Sequence, residues 1–285
     1  MNSLVPLPFI IPLAGAALSI VLGWSRAIQR VISVSALAAT LGVSIVLLVE
    51  ADDQGFVVHD AGGWTAEIGI SLVVDRLAGL MLVVSSLVLL AVMVFAIGEA
   101  EEEQRRVGFH PIYLVLAAGV MASFVTADLF NLFVAFEMML AASYVLITLG
   151  GRPDQVRSGM SYVVISLVAS TVFITVLALL YAATGTVNMA DLSVRLAELD
   201  PAVRAAFALA LLVVFAIKAG LFPLFFWLPD SYPTAPGPVP SIFAGLLTKV
   251  GVYAIIRTQT LLFDAPDWMG IVLISVAVLT MVVGV

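Results

Sequence analysis

The chain has no cysteine, only two lysines and two histidines, and few charges of any kind: 11% of its 285 residues are charged, against about 25% in a soluble domain. The missing thiols exclude a thiolate iron-sulfur cluster or a cysteine-ligated zinc. The histidines, His59 and His110, lie outside the apolar runs. His110 has no second histidine or carboxylate at ligand spacing, so it reads as a surface residue and no metal site is expected. The sequence also lacks a phosphate-cradling glycine loop, a nucleophile paired with a base and a haem-ligand pair. No cofactor is therefore expected. A formal charge of -7 argues against nucleic acid as a partner.

Apolar sequence takes the place of those charges. The chain is 62% hydrophobic with a mean hydropathy of +1.18, the composition of an all-α polytopic membrane protein whose outward faces meet the lipid bilayer. Runs of spanning length fall at 4–24, 31–49, 76–98, 111–127, 129–149, 160–183, 205–228, 239–257 and 269–285. The N-terminus is apolar almost at once and has no basic residue before Arg26, which predicts a retained helix rather than a cleaved leader. The last run stops in apolar sequence at Val285, which predicts that the chain is the N-terminal part of something longer.

Arginines sort the loops. Arg26 and Arg30 follow the first run, Arg105 and Arg106 the third, Arg152 and Arg157 the fifth, all on one side, which is expected to be cytoplasmic. The other side receives Glu50, Asp52, Asp53, Asp60, Glu67 and Asp75, then the connection from Asp191 to Arg204, so the N-terminus is expected outward. In that first outer loop, Gly62-Gly63 between two β-prone stretches, the second including Ile68, Ile70 and Leu72, predicts a small surface hairpin between spans two and three. The run Glu99 to Glu103 is expected to be a solvated helix end or docking surface.

Three ionisable residues are stranded within the apolar runs: Glu137, Lys218 and Lys249. A charge at bilayer depth costs ~2.5 to 3.5 kcal/mol on insertion scales, so it is normally paired, wetted or functional. A buried acid and amine hold each other ionised when close and drift toward neutrality when apart, which makes such a pair a proton switch. Lysine suits that role because an ammonium loses its proton on burial and a guanidinium does not. A static salt bridge tying helices together is the other reading of the same residues. Gly220 and Pro223 follow Lys218 inside a run and predict a broken helix there. The connection from Pro229 to Pro240 has five prolines and is expected to be an extended turn. Asn131, Ser143, Ser161, Ser166, Ser170, Thr171, Thr175, Ser241 and Thr248 are compatible with a hydrated file, or with ordinary helix packing. The stretch Leu224-Phe-Phe-Trp227 and Trp64 read as interface anchors.

Asp128-Leu-Phe-Asn-Leu-Phe-Val-Ala-Phe-Glu137-Met-Met-Leu-Ala-Ala-Ser-Tyr-Val-Leu, Lys218-Ala-Gly-Leu-Phe-Pro-Leu-Phe-Phe-Trp-Leu-Pro-Asp-Ser-Tyr-Pro and Gly245-Leu-Leu-Thr-Lys249-Val-Gly-Val-Tyr-Ala follow one another in order. Together they resemble the proton-pumping antiporter-like subunits shared by respiratory complex I, membrane-bound hydrogenases and Mrp antiporters, and within that family the D-type subunits of the Mrp branch. The resemblance implies a fold of inverted five-helix repeats, each with a broken helix. It divides the chain into N-terminal helices with the outer hairpin (1–110), a first five-helix repeat (111–258) and the start of a second (259–285). It further implies proton passage through Glu137, Lys218 and Lys249, exchange of H+ for Na+, and assembly with other antiporter-like and small membrane subunits in a bacterial cell membrane. A redox-driven pump module of a quinone-reducing or hydrogenase complex is the alternative within the family. A non-conducting scaffold is the alternative outside it.

Overall fold

Apolar runs of this length satisfy their backbone groups in lipid only as helices, and a computed structural model of the chain is built from them. It describes residues 2–64, 69–98, 108–235, 237–263 and 267–284. In chain order come α1 (Leu7–Val21), α2 (Arg26–Gln54), β1 (Phe56–Asp60), β2 (Ser71–Asp75), α3 (Arg76–Gly98), α4 (Phe109–Val125), α5 (Leu129–Thr148), α6 (Pro153–Thr184), α7 (Met189–Arg195), α8 (Pro201–Ala219), α9 (Leu228–Ser231), α10 (Val239–Leu261) and α11 (Asp267–Val283). Six of these, α2, α3, α5, α6, α8 and α10, are long and apolar enough to cross a membrane, and α1, α4 and α11 are shorter apolar helices. Each of the nine apolar runs is thus occupied by a helix among the described residues.

The centre of the bundle is α4. All of its residues from Tyr113 to Val125 are buried except Val115, as expected of a helix that is apolar all round. Helices α1, α2, α3, α5 and α10 surround it. Polar side chains tie it in place: Tyr113 Oη donates to the Leu89 carbonyl of α3 at 2.6 Å, and Tyr253 Oη of α10 donates to the Phe124 carbonyl at 3.0 Å. His110, in the first turn of α4, is not a surface residue. It is buried, with Nδ1 3.0 Å from Ser33 Oγ of α2 and its ring edge-on to Phe109. The end of a central helix is enclosed by its neighbours, which a count along the sequence does not reveal.

The strands form a two-stranded antiparallel hairpin, with Phe56 opposite Asp75 and Asp60 opposite Ser71. Gly62 and Gly63 turn the chain at φ +70° and +71°, values that glycine adopts without a Cβ clash. The second strand begins at Ser71, within the alternating stretch; Glu67 and Ile68 lie outside the described residues. The hairpin is stitched to the helix connections rather than lying free. The Ala127 amide donates to the Ser71 carbonyl (3.0 Å), and Met189 to Ala127 (2.8 Å). These contacts define a hairpin end of the bundle. Arg26, Arg30, Arg152 and Arg157 mark the opposite, basic end; Arg105, Arg106 and the run Glu99–Glu103 lie outside the described residues.

Candidate functional site

Helix α8 stops at Ala219, well short of the end of its apolar run. Gly220 caps it in the left-handed region at φ +67°, and the Phe222–Pro223 peptide is cis. A break at this depth exposes carbonyls that need donors, and the chain supplies them locally. The Leu221 amide donates to Ala216 (3.0 Å) and Trp227 Nε1 to Ile217 (3.1 Å). Trp227 is therefore not an interface anchor: it is 5% exposed and packs on Tyr162 inside the bundle. Trp64, by contrast, is exposed. The proline-rich connection is not simply extended either. It contains the helical turn α9, and Pro240 occupies the first turn of α10, where a missing amide costs nothing. Pro236 lies outside the described residues.

The break leaves Lys218 in the last turn of α8, where the helix dipole favours a cation. Glu137 comes from the middle of α5. The two do not form a direct ion pair among the described residues. Ser170 of α6 stands between them: its hydroxyl donates to Glu137 Oε1 and accepts from Lys218 Nζ at 3.5 Å. Acid, hydroxyl and amine form one line across three helices.

The surroundings of that line differ between its two sides. Toward the basic end, a cavity of about 30 Å³ is lined by Lys218, Tyr162, Ser166, Trp227, Leu247 and Gly251, among others, room for about one water. Tyr162 Oη is 2.8 Å from Ser143 Oγ, so hydroxyls continue from the cavity toward the α5–α6 connection. Toward the hairpin end, one turn from Glu137, Ser170 and Lys218, the rings of Phe133, Phe173 and Phe215 pack together, and Phe136, which also lines the cavity, packs on Phe173 and Phe215. Ring centroids are 5.1 Å apart for Phe173–Phe215, 5.8 Å for Phe133–Phe173 and 6.0 Å for Phe136–Phe215. Beyond these rings Asn131 Nδ2 donates to Thr126 Oγ1 at 3.0 Å. Other span hydroxyls of the expected file are not in it: Ser161, Thr171 and Thr175 face outward and bond to their own helix.

Lys249 is not part of this cluster. It lies on an exposed stripe of α10 with Val252 and Ile256. Its Nζ turns back to the Ala244 carbonyl at 2.5 Å and to Thr248 Oγ1 at 3.3 Å. Ala244 belongs to a π-helical turn, Phe243–Leu247, whose Phe243 carbonyl is taken by Tyr232 Oη at 3.2 Å; such turns leave carbonyls that need outside donors. The contact between α8 and α10 is made at Gly251, where a Cβ would lie 2.6 Å from the Ala219 amide nitrogen and 2.9 Å from the Lys218 carbonyl carbon. Near the hairpin end α10 is pinned again. Arg257 makes a bidentate pair with Asp75 (2.6 and 2.8 Å) and donates to Tyr253 Oη.

Residues Ser170, Tyr162 and Trp227 were not separable from other hydroxyls and aromatics by sequence. A helical spacing of Tyr162, Ser166 and Ser170 on one face of α6 was the available signal.

A bundle of apolar helices, one of them broken within its apolar run with an acid, a hydroxyl and an amine joined beside the break, is the architecture of a polytopic membrane protein. Residues 126–285 match the family described as NADH:quinone oxidoreductase/Mrp antiporter, TM, and the chain belongs to it. It is 46% identical over 287 residues to the D-type subunit of the Na(+)/H(+) antiporter of Alkalihalophilus pseudofirmus, a match covering 100% of this chain and 58% of that protein. Its fold superimposes on a chain of the Mrp complex from Dietzia sp. with a TM-score of 0.88 and 32% identity, covering 95% of this chain and 51% of that one. A chain of an archaeal respiratory membrane complex, the membrane-bound sulfane sulfur reductase, matches with a TM-score of 0.84 and 28% identity, covering 97% of this chain and 56% of that one. The chain thus spans just over half the length of these proteins.

Proposed function

We propose that the chain is the proton-translocating part of a subunit of a multisubunit cation/H+ antiporter, a transporter subunit rather than an enzyme, with Na+ as the exchanged cation. Glu137 and Lys218 are the proton pair, and Lys249 the next stop along α10. The helix break at Gly220 and Pro223 places Lys218 at a free helix end. Residues 111–258 are the first five-helix repeat, preceded by the segment 1–110 and followed by the start of the next repeat at 259–285. The basic end is cytoplasmic and the N-terminus outward, in a bacterial cell membrane. Sister antiporter-like and small membrane subunits complete the complex. The observation that carries this reading is the Lys218–Ser170–Glu137 line beside the break, with a small cavity on one side and packed phenylalanines on the other.

The test uses the full-length subunit in its assembled complex, in everted vesicles carrying a pH-sensitive dye. Glu137→Gln and Lys218→Ala are expected to abolish sodium-dependent dequenching while leaving assembly intact. Normal transport per assembled complex would overturn the proposal, and lowered assembly with that same result would establish the scaffold. The likeness to a respiratory complex supports a second reading, in which redox energy drives the same pair. Flavin or iron-sulfur partners in the purified complex, with turnover driven by a reduced donor, would establish it.

A further inference from the structure

Hydroxyls inside helices ordinarily donate to the carbonyl one turn back, which satisfies them without a partner elsewhere. Thr40, Ser44, Ser123, Thr171, Thr175 and Thr258 of this chain all do so. Ser170 does not. The residue is 6% exposed, and its one hydroxyl proton is given to Glu137 on another helix while its oxygen accepts from the Lys218 ammonium. A hydroxyl has one hydrogen and two lone pairs. Donation to the carboxylate leaves only acceptor capacity for the lysine, so the hydrogen-bond direction runs from Lys218 through Ser170 to Glu137.

We infer that Ser170 is the obligatory proton relay between Lys218 and Glu137, an inference that rests on the proposed role of that pair. In the transfer an N–H bond of Lys218 breaks as an O–H bond forms on Ser170. The original Ser170 O–H bond breaks as an O–H bond forms on Glu137. One proton passes from the ammonium to the carboxylate, both become neutral, and Ser170 remains a hydroxyl. Its remaining hydrogen now points toward Lys218, so the relay must run backward, or turn about Cβ–Oγ, before it repeats. Phenylalanine rings pack on the hairpin side of the line, and the cavity wall presents Lys218 rather than Glu137.

Ser170→Thr and Ser170→Val test the relay in the full-length subunit within its complex, because they match in shape and differ in the hydroxyl. Sodium-dependent proton transport is read per assembled complex. Ser170→Thr is expected to stay near the native rate. Ser170→Val is expected to lose on the order of 10²-fold, the lower range for removal of a positioned proton-transfer group. Equal rates for the two would overturn the relay, as would native transport by Ser170→Ala, in which water would fill the gap. Lys218→Ala is run alongside. If it still transports, the proposed function of the pair fails; if it is inactive while Ser170→Val and Ser170→Thr transport alike, only the relay fails.

Discussion

At Asp75 two opposing effects meet. Burial would raise its carboxyl, but the Arg257 guanidinium and the Ala78 amide outweigh that and hold it below the ordinary carboxylate range. A depressed pKa adds stability above the unfolded value, about 3.9, and that stability is lost as pH falls through the folded value. The pair is mostly buried, with side-chain exposures of 16% for Arg257 and 31% for Asp75. Asp75→Asn is therefore expected to cost on the order of 2 kcal/mol, the worth of hydrogen bonds to charged groups. Thermal unfolding in detergent should show the loss at neutral pH and a flatter decline than the native protein below about pH 4; identical acid profiles would refute it. Arg257 and Asp75 were each visible in sequence, but their pairing joins positions 182 residues apart and depends on tertiary packing. Glu137 and Lys218 were legible for the opposite reason: a charge in an apolar run announces itself by its cost. Ser170 was one hydroxyl among nine candidates, because only the meeting of three helices decides which of them faces the pair. His110 and Trp227 were misread on the same ground, each being enclosed by elements distant in sequence.

Among the elements, α10 carries the most constraints. It holds the π turn and Lys249, touches the end of α8 at Gly251, and is anchored by Arg257. The Gly251 contact is backbone against backbone, so an added methyl has no flexible neighbour to displace. Gly251→Ala must push α10 away from the Lys218 turn. Overpacking of this kind costs roughly 1 to 3 kcal/mol, and the displaced element is the one bearing the proposed amine. Lower thermal stability together with reduced transport per assembled complex is the expected outcome. Gly245→Ala makes the control, because a Cβ there meets only Val88 at 3.7 Å. If both variants behave alike, close approach at Gly251 is not what positions the site. The positions of the elements were legible from hydropathy, since each apolar run had one way to satisfy its backbone. Hydropathy alone did not give their ends: the apolar run continues through Trp227, and it was Gly220 and Pro223 that marked the break, with Gly220 adopting the left-handed cap.

At the scale of the bundle, the two sides of the proposed pair differ. Hydroxyls and a small cavity lie toward the basic end, and the rings of Phe133, Phe173 and Phe215 pack toward the hairpin end. Under the proposed function, a proton on the pair meets hydroxyls and the small cavity in one direction and an apolar barrier in the other, a condition for coupled rather than leaky transport. Phe173 touches Phe133, Phe136 and Phe215, so the barrier depends on it more than on any other ring. Phe173→Ser removes that contact and adds a hydroxyl one turn from Ser170, a spacing that extends the hydrogen-bonding file toward Asn131. Phe173→Leu keeps the space apolar. In vesicles without a sodium gradient, Phe173→Ser is expected to raise passive proton entry by at least about tenfold, equivalent to lowering a barrier by about 1.4 kcal/mol, whereas Phe173→Leu stays near the native leak. A tight Phe173→Ser vesicle would mean that the rings pack the bundle without sealing it, and that the barrier between the two sides of the membrane lies elsewhere in the complex.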